Sequence, residues 1–307
     1  MSEVFKGSYD PYKEMHAFYG LDDPTADEQF RFAEAMEYLI RTSRDPEDKK
    51  AMSYNLAMYY RGIKNFALEK KYLEICAELG DPSGKEQLGF LWYYGPGDEQ
   101  NYERAFHYFE DCKTRRGLYM MADMYRCGQY VPRDPEKSRE IIEDLFAGVL
   151  PEKDDPRFYK TTLFPEVALR LVQTDLEDGE ATDFDLGCLS DARRILSVRQ
   201  QTRPFWGNIK LMRKILETTE EMRGSDRSLA DLYDLLLFRE TNAAVTFDHA
   251  RTRHRLDIFE NEGETVYQLG QKWFHGAEDF LEKARIDQQR ITTLYDQISD
   301  ISVLYKG

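Results

Sequence analysis

Apolar side chains recur at helical spacing along most of the chain and alternate at strand spacing only near its end. Two stretches, QLGFLWYYGPGDEQNYERAFHYF from Gln87 to Phe109 and MMADMYRCGQYVPRDPEKSREII from Met120 to Ile142, align without a gap at a fixed offset of 33 residues. Leu88 falls on Met121, Gly89 on Ala122, Trp92 on Tyr125, Gly95 on Gly128, Asn101 on Asp134 and Ala105 on Ser138. The columns predict a unit of helix, Gly-containing turn and second helix. Leu88 and Trp92 are four apart and share one helical face, and the small residue at Gly89 or Ala122 lets a neighbouring helix approach. Gly95 and Gly128 can take the left-handed conformation that ends a helix. Asn101 or Asp134 then caps the next one, with Pro135 suited to its first turn. Leu88 and Met121 are therefore expected in the core.

A more divergent copy lies upstream, where SYNLAMYYRG (Ser53 to Gly62) supplies Leu56, Ala57 and Tyr60, with a second helix over about Phe66 to Leu79 and a turn about three residues shorter. Before it, Ala26 to Thr42 carries Phe32, Ala35, Met36 and Leu39 at helical spacing and reads as a capping helix, and Asp45-Pro46-Glu47 opens the next helix. After Pro151 the register is lost, but helices are predicted at Phe164 to Leu176, Ser190 to Gln201, Pro204 to Met222 and Asp226 to Arg239, the third with an apolar stripe of Ile209, Met212, Ile215 and Leu216. Residues 26 to 240 are thus expected to be helical throughout, stacked as a right-handed superhelix. The order is an N-terminal extension over 1–25, helical repeats over 26–150, and degenerate repeats or a helical cap over 151–241.

The pattern changes after Asn242. AVTFDHA, RHRLDIFE and ETVYQLGQ are short runs of β-formers, with Asn261-Glu262-Gly263 suited to a hairpin turn between the last two. Phe280, Leu281 and Ala284, then Ile291, Leu294, Tyr295 and Ile298, fit two helices, and Ile301, Val303 and Tyr305 alternate as a closing strand. Residues 243–307 are expected to form a small α+β module. The fold class is mainly α: an α/α solenoid followed by that module.

Composition supports a folded chain, since 41% of residues are hydrophobic and 13% aromatic. A net charge of −15 opposes attraction to nucleic-acid phosphates or an anionic membrane. The first twenty residues lack an apolar core behind a basic start, and no apolar run reaches 18 residues, so a cytoplasmic protein without a membrane span is expected.

Candidate chemistry is sparse. Cys76, Cys112, Cys127 and Cys188 show no C-x-x-C pairing and read as small apolar side chains in a reducing compartment. Asp175 to Asp185 is rich in acids and reads as a solvated loop, because a calcium-loop register would put Thr174 and Leu176 at ligand positions. The seven basic residues from Arg193 to Lys214 form a basic helical stretch. His249 and His254, beside Asp248 and Asp257, could gather ligands if two strands pair through a turn near Arg251-Thr252. Alternation sets His249 with Val245 and Phe247 and His254 with Leu256 and Ile258, which points to a half-buried structural role. No phosphate loop, nucleophile elbow or kinase signature is present, and neither metal nor cofactor is implied.

The pattern of a small residue after Leu, an aromatic, Gly, then Asp or Asn ahead of a small helical residue resembles the Sel-one-like repeats of the tetratricopeptide-repeat class, over about residues 50 to 147. Met121 to Ile142 carries the best match. The resemblance implies that the first helix of each pair lines a concave face and that residues off its packing stripe meet a ligand. Those positions are Tyr54, Met58 and Arg61, then Glu86, Phe90, Tyr93 and Tyr94, then Tyr119, Asp123 and Arg126, a set rich in the residue types of binding hot spots. It implies a non-enzymatic adaptor that holds a peptide or protein segment, with the C-terminal module as a second contact or a homodimer surface. Two alternatives belong to other classes: an enzymatic or small-ligand C-terminal domain targeted by the repeats, and nucleic-acid binding through Arg193 to Lys214.

Overall fold

The computed structural model describes residues 10–19, 21, 24–95, 100–202, 206–223, 242–261, 264–291 and 298–305. The chain divides into two compact units, 1–141 and 142–307.

In the first unit, α1 (Pro11–Tyr19) precedes α2 (Ala26–Thr42), α3 (Pro46–Gly62), α4 (Phe66–Glu78), α5 (Pro82–Tyr94), α6 (Tyr102–Cys112) and α7 (Arg115–Cys127), and the division between units falls inside α8 (Pro135–Val149). Each helix from α2 to α7 starts on a residue whose side-chain oxygen accepts a first-turn N–H: Thr25, Asp45, Asn65, Asp81, Asn101 and Thr114. Asp134 does the same for α8 through Lys137 N–H at 2.8 Å. Such caps satisfy donors that a helix leaves unpaired, which is why the helix starts read from Asp45, Asn101 and Asp134 fell close to the observed ones.

Successive helices pack as neighbours around one core containing Phe32, Met36, Leu39, Leu56, Tyr60, Tyr72, Leu73, Leu88, Trp92, Phe106, Phe109, Met120 and Met124. Phe18 of α1 stacks on Phe32 with ring centroids 4.1 Å apart. Leu88 is fully buried as expected, but Met121 is only partly buried, and Met120 and Met124 fill the core positions of α7 instead. Three adjacent long side chains on a short helix leave the buried one to be chosen by its neighbours.

The second unit holds two short 3-10 segments (Leu150–Asp154 and Pro156–Phe158), α9 (Phe164–Asp178), α10 (Asp183–Thr202) and α11 (Trp206–Arg223). The 3-10 segments break the expected run of α-helix. Met212, Ile215 and Leu216 of the predicted stripe are buried, while the side chain of Ile209 and the predicted helix Asp226 to Arg239 lie outside the described residues. The acidic stretch is an exposed loop only over residues 179–182, and its flanks are helical. It forms the end of α9, a left-handed Gly179 and the start of α10, where the buried Asp185 accepts from the Thr182 N–H at 2.7 Å.

The same unit contains a five-stranded antiparallel sheet in the order β4-β3-β2-β1-β7, from β1 (Asn242–His249), β2 (Thr252–Asn261), β3 (Glu264–Leu269), β4 (Lys272–His275) and β7 (Ile298–Tyr305). A two-stranded ribbon, β5 (Arg285–Ile286) with β6 (Gln289–Arg290), stands apart from it. Asn261 pairs with Glu264 across the predicted turn, whose Glu262 and Gly263 lie outside the described residues. Ala250 and Arg251, both with positive φ, make the β1–β2 turn, the mirror-image geometry that two-residue hairpins favour. Helix α12 (Gly276–Lys283) covers β3 and β4, with Phe280 stacked 5.3 Å from Tyr267.

Three local expectations are corrected. Four-residue β4 is too short to show alternation and was not anticipated. Ala284 ends α12 in extended backbone rather than continuing it. Ile298 starts β7 instead of closing a helix, while Leu294 and Tyr295 lie outside the described residues. Short apolar runs fit both periods, and pairing with β1 decides.

Candidate functional site

The repeat is visible in backbone hydrogen bonds. Asn101 N–H donates to the Trp92 carbonyl at 2.8 Å, and in the same register Asp134 N–H donates to the Tyr125 carbonyl at 2.9 Å. In the divergent copy Asn65 N–H reaches the Tyr60 carbonyl at 2.8 Å across a shorter turn. The capping residue of each second helix thus ties back to the aromatic of the first helix, closing the hairpin. Gly95 and Gly128 both end their helices at positive φ, at 57° and 68°. Small residues also sit at close crossings: a Cβ at Gly89 would lie 2.5 Å from the Phe109 ring, one at Gly84 2.4 Å from the Cys76 Cβ, and one at Gly117 2.5 Å from the Cys112 Sγ.

No protein-family model matches the chain, and no curated protein does. Among solved structures, a Sel1 repeat protein from Oxalobacter formigenes is 17% identical with a TM-score of 0.44, over 69% of this chain and 88% of that one. A protective antigen present in uropathogenic Escherichia coli strains displaying an SLR fold is 14% identical with a TM-score of 0.34, over 75% of this chain, which spans 56% of that protein's length. Within this chain the three hairpins share a tied turn and a capped second helix.

The first helices of the three hairpins are α3, α5 and α7, and α5 touches α7 directly. Tyr94, on the last turn of α5, is 66% exposed. Its ring lies parallel to Phe90 at 6.2 Å and edge-on to Tyr93 at 5.1 Å, and Phe90 in turn packs on Phe109 at 5.3 Å. Tyr93 donates its hydroxyl to Gln129 Oε1 at 3.0 Å, and burial pushes its phenol up to about 12. Partial burial also raises Tyr94, with the Asp123 carboxylate adding to the effect. Asp123 lies 3.6 Å from the Arg126 guanidinium one turn along α7. Tyr54, Met58 and Tyr119 are partly buried against the core.

Two of the predicted residues make strong internal bonds. Glu86 is buried and accepts from the Thr114 hydroxyl at 2.5 Å, which fixes the cap of α7 against α5. Arg61 donates to buried Glu69 at 2.7 Å and to Gln87 at 2.7 Å, tying α3, α4 and α5 together. Neither bond could be read from spacing, because each joins different helices. Trp92, which the sequence placed in the core, is flanked by Lys70 and Arg104, 4.1 and 4.5 Å from its ring centroid.

In the second unit, much of the basic stretch is engaged internally. Arg199 reaches the Thr162 carbonyl at 2.7 Å, the Tyr159 carbonyl at 3.2 Å and Glu166 at 3.0 Å. Arg194 pairs with Asp191 at 2.9 Å, donates to the Lys153 carbonyl and the Tyr159 hydroxyl, and Arg193 is buried. The two histidines do share a sheet face: Phe247 pairs with His254, and the His249 and His254 rings are 6.2 Å apart. Asp287 approaches His249 Nδ1 at 3.5 Å. Among the described residues no group of three or more His, Cys, Asp or Glu is arranged to hold a metal ion, and no helix is long and apolar enough to cross a membrane.

Proposed function

We propose that this protein is a non-enzymatic interaction adaptor whose Sel1-like hairpins hold a peptide or protein segment along the faces of α3, α5 and α7. The observation that supports this most is Tyr94, a large aromatic side chain exposed to solvent yet braced by Phe90 and Tyr93. A braced ring loses little conformational entropy on binding, so its contact area translates into affinity. Asp123 and Arg126 beside it supply an acceptor and a cation, and Phe90, Tyr93, Tyr119, Tyr54 and Met58 form a partly apolar floor. Arg61 and Glu86 act in this reading by holding the three helices in register rather than by direct contact.

The test compares the full chain with a Tyr94→Ala, Arg126→Ala double variant as bait in affinity capture from the native cell, read by quantitative mass spectrometry. The expected result is loss of the partners held by the intact chain with little change in melting temperature, since truncated hot spots cost about 2 kcal/mol or more in binding. Retention of every partner by a folded double variant would remove this face as the binding site.

A further inference from the structure

The charges along the first-helix face are nearly all committed to partners within the protein. Arg61 bonds Glu69 and Gln87, Glu86 accepts from Thr114, and Asp123 faces Arg126. Asp81 accepts from the N–H groups of Ser83 and Gly84 as the cap of α5. Arg116 differs. Its side chain is exposed, and among the described residues no hydrogen bond or ion pair engages its guanidinium.

The position of Arg116 is set by the bond beneath it. Thr114, bonded to Glu86 of α5, caps α7, and Arg116 follows in the first turn of that helix. Arg116, Tyr119 and Asp123 stand at i, i+3 and i+7 of α7 and so share one face of that helix, and the Arg116 charge also acts on the Tyr54 phenol of α3. At the other end of α7, Asp123 is within reach of Tyr93 and Tyr94. Seven residues of α-helix separate Arg116 from Asp123, a rise of roughly 10 Å, which about three residues of extended peptide would span.

A guanidinium matches a carboxylate in two parallel hydrogen bonds, and one without a partner in the protein gives up only bonds to water on pairing. A net charge of −15 disfavours a polyanion such as nucleic acid, whereas a single carboxylate is the smallest anion that complements one arginine. Building on the reading of this face as a peptide site, we propose that the bound segment carries an acidic side chain that pairs with Arg116, about three residues from an apolar side chain that packs on Tyr94.

The probe is a pool of acetylated, amidated heptapeptides with Glu at the centre, Leu at both ends and Ala, Ser or Thr elsewhere, which tests both chain directions. A second pool has Gln in place of Glu. Binding to the full-length protein is followed by fluorescence anisotropy at low salt. The Glu pool is expected to bind about tenfold more tightly than the Gln pool, as one charge-assisted pair allows. Arg116→Gln should erase that preference without altering the Gln pool's affinity, Arg116→Lys should keep part of it, and Tyr94→Ala should weaken both pools. Equal binding of the two pools, still weakened by Tyr94→Ala, would overturn the role of Arg116 and leave the face standing. No binding of either pool, or binding indifferent to Tyr94→Ala, would count against both.

Discussion

Gly89 lies against the ring of Phe109 so closely that a Cβ on Gly89 would stand 2.5 Å from Cε1. The contact sets the distance between α5 and α6 in the central hairpin, and Phe109 is fully buried. Adding one methyl group should therefore overpack the core. Gly89→Ala is expected to destabilise the protein by about 1–3 kcal/mol despite the higher helix propensity of alanine, with Gly89→Val worse. Denaturant melts would show it, and a stabilised Gly89→Ala would mean that the crossing is looser than described.

Leu88, next to that contact in sequence, is part of the same core and has no exposed surface. Leu88→Ala removes buried methyl groups and leaves a cavity, at a cost of roughly 2–5 kcal/mol. Met121→Ala, at the matching repeat position but only partly buried, should cost clearly less than Met120→Ala. Equal losses at the two methionines would contradict the helix rotation of α7.

Thiol chemistry separates the cysteines by burial. Cys127 is exposed, whereas Cys76, Cys112 and Cys188 are buried. Burial pushes the Cys76 thiol up to about 12 and Cys188 to about 11, so both stay protonated and unreactive near neutrality. One fast-reacting thiol per chain is expected with a thiol-specific reagent at pH 8, rising to four on unfolding. Cys127→Ser should abolish the fast phase.

The alkaline limb of stability should carry the mark of Tyr93. Its folded pKa of about 12 lies above the ordinary value of 10.0, so the unfolded chain loses this proton first. The associated stability is complete below about pH 10 and falls away as pH rises toward the folded value. Buried Cys76 and Tyr72, also raised, act in the same direction. Comparing urea midpoints of the native chain and Tyr93→Phe between pH 9 and 11.5 should show a shallower loss for the variant.

Arg199 joins α10 to the segment before α9 through two backbone carbonyls and Glu166, and little of its side chain meets solvent. Removing it leaves a partly buried carboxylate and two carbonyls without this donor. Arg199→Met should destabilise the protein by roughly 3 kcal/mol. A nearly silent substitution would show that water replaces the guanidinium without cost.

Much of this fold was legible in the sequence because the information is local. The helix starts after Asp45, Asn101 and Asp134 are set by side chains that bond the next few N–H groups, the left-handed helix ends by Gly95 and Gly128, and the hairpin repeat by columns at one spacing. The β1–β2 and β2–β3 pairings follow likewise from alternation and short turns. The rest depended on contacts between distant segments. Glu86 and Arg61 share the surface spacing of Tyr94, yet cross-helix bonds to Thr114, Glu69 and Gln87 give them internal roles, and only packing selected Met120 over Met121. Pairing with β1 made Ile298 a strand residue, and apart from the local Arg194–Asp191 pair the partners of Arg194 and Arg199 lie some thirty to forty residues away. Arg116 was equally unreadable, because a free charge is defined by every bond that its neighbours make elsewhere, and that is a property of the tertiary structure alone.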